Sequence, residues 1–130
     1  MACPYFQPVA RLDSSAWDPA PRLPLGDAWS GFCLALTSSF EPPESIQHEL
    51  CNCGYARGRC AHFPAESSAD AVRFAHEPGS QKLLYILEKD HAPLAFGEFL
   101  ESQHGAAMIA QARAFLEVDS TGGKPAPPNL

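Results

Sequence analysis

The distribution of proline is the sequence feature that most restricts the fold of this chain. There are 13 prolines in 130 residues, and seven of them lie before residue 44. Proline fixes φ, removes a backbone N–H and disfavours helical backbone at the residue before it. The first third is therefore predicted to be extended and irregular rather than helical. We expect residues 1–28 to form a proline-rich arm that wraps over the rest of the domain, with Trp17 as its packing anchor.

The remaining chain alternates between strand-like and helix-like patterns. Residues 28–36, AWSGFCLAL, are typical of a strand, and residues 42–50, PPESIQHEL, predict a short helix that follows two prolines. Residues 71–100 contain three apolar runs separated by turn-rich segments, which predicts an antiparallel β-meander. Its middle run, KLLYILE, carries bulky side chains on both faces and indicates a central, covered strand. Residues 102–118 have a helical apolar stripe that should pack on the sheet.

These patterns together predict a small single-domain α+β protein spanning residues 1–119. Residues 120–130, STGGKPAPPNL, are polar and rich in proline and glycine, and they predict a flexible tail. Hydrophobic residues make up 45% of the chain and charged residues 18%, which is ordinary for a globular protein.

Charge and hydropathy exclude two classes of partner. The net charge is −6 and the basic residues form no run longer than the Arg57/Arg59 pair, whereas general nucleic-acid binding needs a basic face. No stretch approaches the roughly 20 apolar residues of a membrane span. The start, MACPYFQPVARL, lacks the apolar region of a signal peptide, so a cytoplasmic location is expected.

Cysteine carries the strongest chemical signal in the sequence. Three of the five cysteines fall within residues 51–60, CNCGYARGRC, beside two glycines and two arginines. An odd number of cysteines in a chain expected to be cytoplasmic argues against a disulfide framework. The chain has no C-x-x-C pair, haem-attachment pattern or compact ferredoxin run, so the assignment must rest on chemistry.

The chemistry favours a [4Fe–4S] cluster, and hence electron transfer or redox sensing. The two ends of the glycine/arginine loop carry thiols, and glycines allow backbone N–H groups to approach and donate to an anionic cluster. Nearby arginines would offset the net negative charge of such a cluster. The predicted ligands are Cys3, Cys33, Cys51 and Cys60, with Cys53 and His62 as alternates. The residues predicted to contact the cofactor are Gly54, Gly58, Arg57 and Arg59.

Two alternatives remain open from the sequence. The local pattern C-x-C-x6-C-x-H, formed by Cys51, Cys53, Cys60 and His62, could close a zinc site and make the chain an adaptor or accessory subunit. The cysteines of the loop could instead form a metal-free thiol redox sensor. Buried free cysteines can also serve simply as small hydrophobic residues.

An independent catalytic activity is not expected. The sequence contains no P-loop, G-x-G-x-x-G, H-E-x-x-H or G-x-S-x-G pattern. A protein partner or a larger complex is expected instead, with the oligomeric state left open.

Overall fold

The computed structural model describes residues 2–12 and 28–121, with side chains as far as residue 118. Residues 13–27 of the predicted arm, with the predicted anchor Trp17, and residues 122–130 of the predicted tail lie outside the described residues. None of the helices in the described ranges is both long and apolar enough to cross a membrane.

Residues 6–12 of the predicted arm form a strand, whereas irregular backbone was expected there. Strand β1 (Phe6–Leu12) pairs antiparallel with β2 (Ala28–Cys33), so that Phe6 lies opposite Cys33. The register shifts between Pro8 and Ala10. A strand tolerates proline at such an irregularity because the missing N–H is not needed there. The proline-rich sequence therefore excluded a helix without excluding a strand.

Glycine is required on β2 where the two strands approach each other. A Cβ added to Gly31 would collide with the Gln7 backbone carbonyl. The first sheet depends on this close approach.

A short helix follows β2 and ends at the cysteine-rich loop. Helix α1 (Glu44–Ile46) continues directly into a π-helical turn, Gln47–Cys51, where the Asn52 N–H donates to the Gln47 carbonyl at 3.0 Å. The predicted helix over residues 42–50 is thus present, although it begins after Pro43 and ends in a π turn. Such turns occur frequently at functional sites.

The predicted meander is confirmed as a three-stranded antiparallel sheet of order β3-β4-β5. Its strands are β3 (Ala71–His76), β4 (Leu83–Lys89) and β5 (Ala92–Glu98). The inner face contributes Val72, Phe74 and Leu83 to the core. The outer face is less covered than the sequence suggested, because Ile86 is half-buried and Phe96 is 75% exposed.

The C-terminal helix and the N-terminus join the two sheets into one core, which confirms the small α+β fold. A 3₁₀ turn, Glu101–Gln103, precedes helix α2 (Ala106–Thr121), which packs on β1 and places Phe115 beside Phe74. Ala2 bridges to Val72 of β3 through two backbone hydrogen bonds of 2.8 Å. The first residues of the chain therefore lie across the interior of the molecule.

Candidate functional site: a thiol-lined cavity

Four of the five cysteines line one cavity of about 330 Å³. They are Cys3, Cys33, Cys51 and Cys60, the same four that the sequence analysis selected as ligands. All five cysteines are free thiols. The rest of the lining is mostly apolar and includes Phe6, Phe40, Ile46, Leu50 and Phe63. Residues separated by up to 60 positions in sequence, from Cys3 to Phe63, thus line one cavity.

Cys3 is fixed by hydrogen bonds from two other elements. Its N–H donates to the Cys51 carbonyl at 3.0 Å, so two lining cysteines are joined through their backbones. Its carbonyl accepts from the side-chain amide of Gln111 on α2 at 2.7 Å. Gln111 is fully buried and also donates to the Phe6 carbonyl at 2.8 Å. A residue near a chain end is in this way held inside the core.

Cys33 reaches the cavity from the last position of β2. The Cys33 N–H donates to the Phe40 carbonyl at 2.8 Å, and the Cys33 carbonyl accepts from the Phe40 N–H at 3.3 Å. The sulfur accepts a hydrogen bond from the Ala35 N–H at 3.4 Å. Hydrogen bonds to cysteine sulfur are among the interactions that tune a thiolate-held metal centre.

Cys51 is placed by two buried amide side chains that tie the π turn to β2. Asn52 bonds both backbone groups of Trp29, accepting from its N–H at 3.1 Å and donating to its carbonyl at 2.9 Å. Gln47 accepts from the Gly31 N–H at 2.9 Å. Because β2 also carries Cys33, these bonds set the relative positions of two lining cysteines.

Cys60 lies in the loop that follows, and the loop is anchored by Arg57. The Arg57 side chain donates to the Asp70 carboxylate at 2.7 Å. It also donates to the carbonyls of Ala65 and Ser67, at 3.1 and 2.7 Å. Its guanidinium lies 5.0 Å from the centre of the Phe63 ring. These contacts hold the loop on both sides of Cys60 against the start of β3.

The predicted cofactor-contacting residues have different positions. Arg59 is part of the cavity lining, whereas Arg57, Gly54 and Gly58 are not. Gly54 and Gly58 have φ values of 83° and 81°, as the loop's tight turns require. The two glycines and Arg57 therefore shape the loop, and Arg59 alone of this set reaches the cavity wall.

Burial keeps the thiols of Cys3, Cys33 and Cys51 neutral in the metal-free protein. Desolvation raises the pKa of Cys3 to about 12 and is also the main cause of the raised pKa of Cys33 and Cys51. The neighbouring thiols raise the pKa of Cys51 further, because several thiolates in one apolar site would repel one another. Metal binding at this site must therefore release protons.

The local zinc pattern is not assembled. Cys53 does not line the cavity, and its thiol donates to the His48 carbonyl at 3.5 Å. His62 lines the cavity but packs edge-on against Phe40, with 4.7 Å between ring centres. Within residues 2–12 and 28–118, no three His, Cys, Asp or Glu side chains are close enough together to hold a single metal ion.

A polar cluster near the loop was not anticipated from the sequence. The Tyr55 hydroxyl donates to the buried Glu88 at 2.7 Å, and its ring stacks on His91 at 4.2 Å. Burial and the Glu88 contact raise the pKa of Tyr55 to about 12. No spacing signal links these residues, since the contact depends on the loop crossing the end of the meander.

Comparison with known proteins adds no family to these observations. No protein-family model matches the chain, and no curated protein or solved structure is significantly similar to it. The fold and the site define a small α+β protein with a mostly apolar cavity lined by four thiols.

Proposed function

We propose that this chain is a small iron–sulfur protein that binds a [4Fe–4S] cluster through Cys3, Cys33, Cys51 and Cys60. The main observation behind this proposal is that four free thiols from four separate segments line one cavity. Four thiolate ligands are what such a cluster needs. The proposed role is redox sensing or electron transfer in the cytoplasm, together with a protein partner.

The spread of the thiols supports a polynuclear site over a single zinc ion. A tetrahedral zinc site has Zn–S bonds of about 2.3 Å, which requires its sulfurs to lie within about 3.8 Å of one another. A four-iron cluster holds its cysteine ligands further apart, because irons and sulfides lie between them. Thiols distributed around a 330 Å³ cavity suit the larger group.

The surroundings of the cavity also suit an anionic cluster. Aromatic and aliphatic side chains cover the cavity wall around the three buried cysteines, which limits the access of water to a cluster on that side. Arg59 in the lining brings a positive charge toward a group with a net charge of about −2. The Ala35 N–H already points at the Cys33 sulfur.

The two alternative functions have less support. The zinc adaptor requires Cys53, whose thiol is engaged elsewhere. A metal-free sensor built on the cysteines of the loop needs reactive thiolates, whereas burial raises the pKa of Cys51 and Cys53 instead of lowering it.

The proposal is tested on anaerobically purified and reconstituted protein. We expect a brown protein with about four irons and four sulfides per chain that bleaches with dithionite. Cys33→Ala and Cys51→Ala should lose most of the iron, whereas Cys53→Ser should keep it and serves as the matched control. Stoichiometric zinc in a colourless protein, or equal iron in all of these variants, would contradict the proposal.

A further inference from the structure

The four cavity cysteines differ in their exposure to solvent. Cys3, Cys33 and Cys51 are 7%, 8% and 7% exposed, whereas Cys60 is only half-buried. Its neighbours in the lining, Arg59 and the segment 61–62, are exposed. The cavity wall therefore faces water on the Cys60 side.

The four cysteines also differ in what holds them. The backbones of Cys3 and Cys51 bond each other, and Cys33 bonds Phe40 in both directions. By contrast, the Cys60 N–H donates to Ala56 at 2.8 Å and its carbonyl accepts from Phe63 at 3.2 Å, so these bonds stay within one loop. Three thiols belong to the interior of the fold and the fourth belongs to a surface loop.

From this three-plus-one arrangement we propose that Cys60 is the exchangeable ligand, and that the site senses oxidants by releasing the iron bound to it. The inference rests on the proposed iron–sulfur function and selects sensing over simple electron transfer. The relevant oxidant is dioxygen or another one-electron acceptor that reaches the exposed rim.

The chemistry balances as a one-electron oxidation. On loss of one electron, a bound [4Fe–4S]²⁺ cluster would release one Fe²⁺ and leave a [3Fe–4S]⁺ cluster, which Cys3, Cys33 and Cys51 would hold. The electron reduces the acceptor, dioxygen to superoxide for example. The iron–sulfur bond to Cys60 breaks, and the released thiolate takes a proton from water.

Release of Cys60 also has a structural consequence. Residues 58, 59, 61 and 62 are exposed, Cys60 between them is half-buried, and the segment contacts the cavity through Cys60 and its neighbours. Detachment of the Cys60 sulfur frees this segment from the cluster while Arg57 still holds the loop's base on Asp70. A change confined to one surface loop is a signal that a partner protein can read.

The test uses the reconstituted full chain and stepwise anaerobic addition of ferricyanide. Three quantities are measured at each step: ferrous iron released to a chelator, the electron paramagnetic resonance signal of a three-iron cluster, and the site of iodoacetamide labelling by peptide mass. We expect about one iron released per cluster, appearance of the three-iron signal, and labelling at Cys60 ahead of the buried three.

Variants distinguish a failure of this inference about Cys60 from a failure of the proposed iron–sulfur function. Cys60→Ala should still assemble a three-iron cluster, whereas the matched Cys33→Ala should hold little iron. Loss of all four irons together, or earliest labelling at Cys3, Cys33 or Cys51, would overturn the inference and leave the iron–sulfur function standing. A wild-type protein that takes up no iron and sulfide before any oxidant is added would overturn both.

Discussion

At the scale of single residues, the structure divides two neighbouring arginines between different tasks. The sequence treats Arg57 and Arg59 alike, yet Arg57 forms a close ion pair with Asp70, whose side chain is only 4% exposed, while Arg59 stays on the cavity rim. Asp70 also accepts the Asp90 N–H at 3.0 Å. Burial alone would raise the pKa of Asp70, but the hydrogen bonds and charge of Arg57 outweigh it and lower that pKa.

Replacing Arg57 should therefore destabilise the protein. Arg57→Leu leaves the buried Asp70 carboxylate without its charged partner and removes two bonds to loop carbonyls, so we expect a loss of about 2–3 kcal/mol in the free energy of unfolding. The measurement is urea denaturation of the metal-free protein. Arg113→Leu is the matched control, because its pair with Glu101 is exposed and should change stability by less than about 1 kcal/mol. Equal effects would show that Arg57 is not an anchor.

At the scale of elements, the π turn and β2 act as one unit through buried amides. Among the described residues, β2 pairs with a strand on one edge only, the edge that faces β1. Asn52 and Gln47 form hydrogen bonds with backbone groups of Trp29 and Gly31 on β2. The two elements carry Cys51 and Cys33. The geometry of the cavity therefore depends on contacts made outside its own lining.

Asn52→Leu should weaken both the fold and the site. The change leaves the buried Trp29 N–H and carbonyl unpaired, which should cost about 2–3 kcal/mol of unfolding free energy and reduce iron uptake on reconstitution. The exposed Gln103→Leu provides the control and should alter stability by less than about 0.5 kcal/mol. Unchanged iron content in Asn52→Leu would mean that the cavity does not depend on this link.

The contact between the first two strands gives a second prediction for the elements. Gly31→Ala should separate β1 from β2, because the new methyl group meets the Gln7 carbonyl, and we expect a loss of about 3 kcal/mol or more. Gly105→Ala is the matched change, since a Cβ there meets no atom within 4 Å. Circular dichroism and thermal unfolding report the difference. Similar melting temperatures for the two variants would contradict the register described for this sheet.

At the scale of the whole molecule, the cavity joins the N-terminus, β2, the π turn and the surface loop. Filling it with a cluster would cross-link these four segments, and a group that binds only the folded chain stabilises it. Without a metal, the same site carries neutral thiols whose ionisation opposes folding.

The metal-free protein should accordingly lose stability at alkaline pH. Folding raises the pKa of Cys3, Cys33 and Cys51 from the usual 9.0. The stability that depends on their neutral forms is therefore complete below pH 9.0 and declines as the pH rises toward the folded pKa, about 12 for Cys3. Denaturation midpoints at neutral pH and at about pH 10 test this. Cys51→Ala should show a smaller decline than the wild type, and Tyr55→Phe and Cys53→Ser account for two further groups whose pKa is raised. A flat profile in the wild type would contradict the burial of these thiols.

The sequence by itself determined the class of fold and the cysteines of interest. Three apolar runs separated by turn-rich segments in residues 71–100 specify the meander, and the apolar stripe specifies α2. The thiols at positions 3, 33, 51 and 60 were selected on chemical grounds. Proline content indicated extended backbone in the first segment but not its pairing, since pairing depends on a partner strand.

Only the tertiary structure decided which residues meet. Cys3 lies beside Cys51 because Gln111 and the bridge from Ala2 to Val72 draw the N-terminus across the core, and no local pattern encodes such long-range contacts. The same packing places Arg57 in an ion pair with Asp70, leaves Cys53 outside the cavity lining and leaves Cys60 at the rim that faces water. Residue chemistry can be identified from the sequence, but convergence and exposure follow from how distant segments pack.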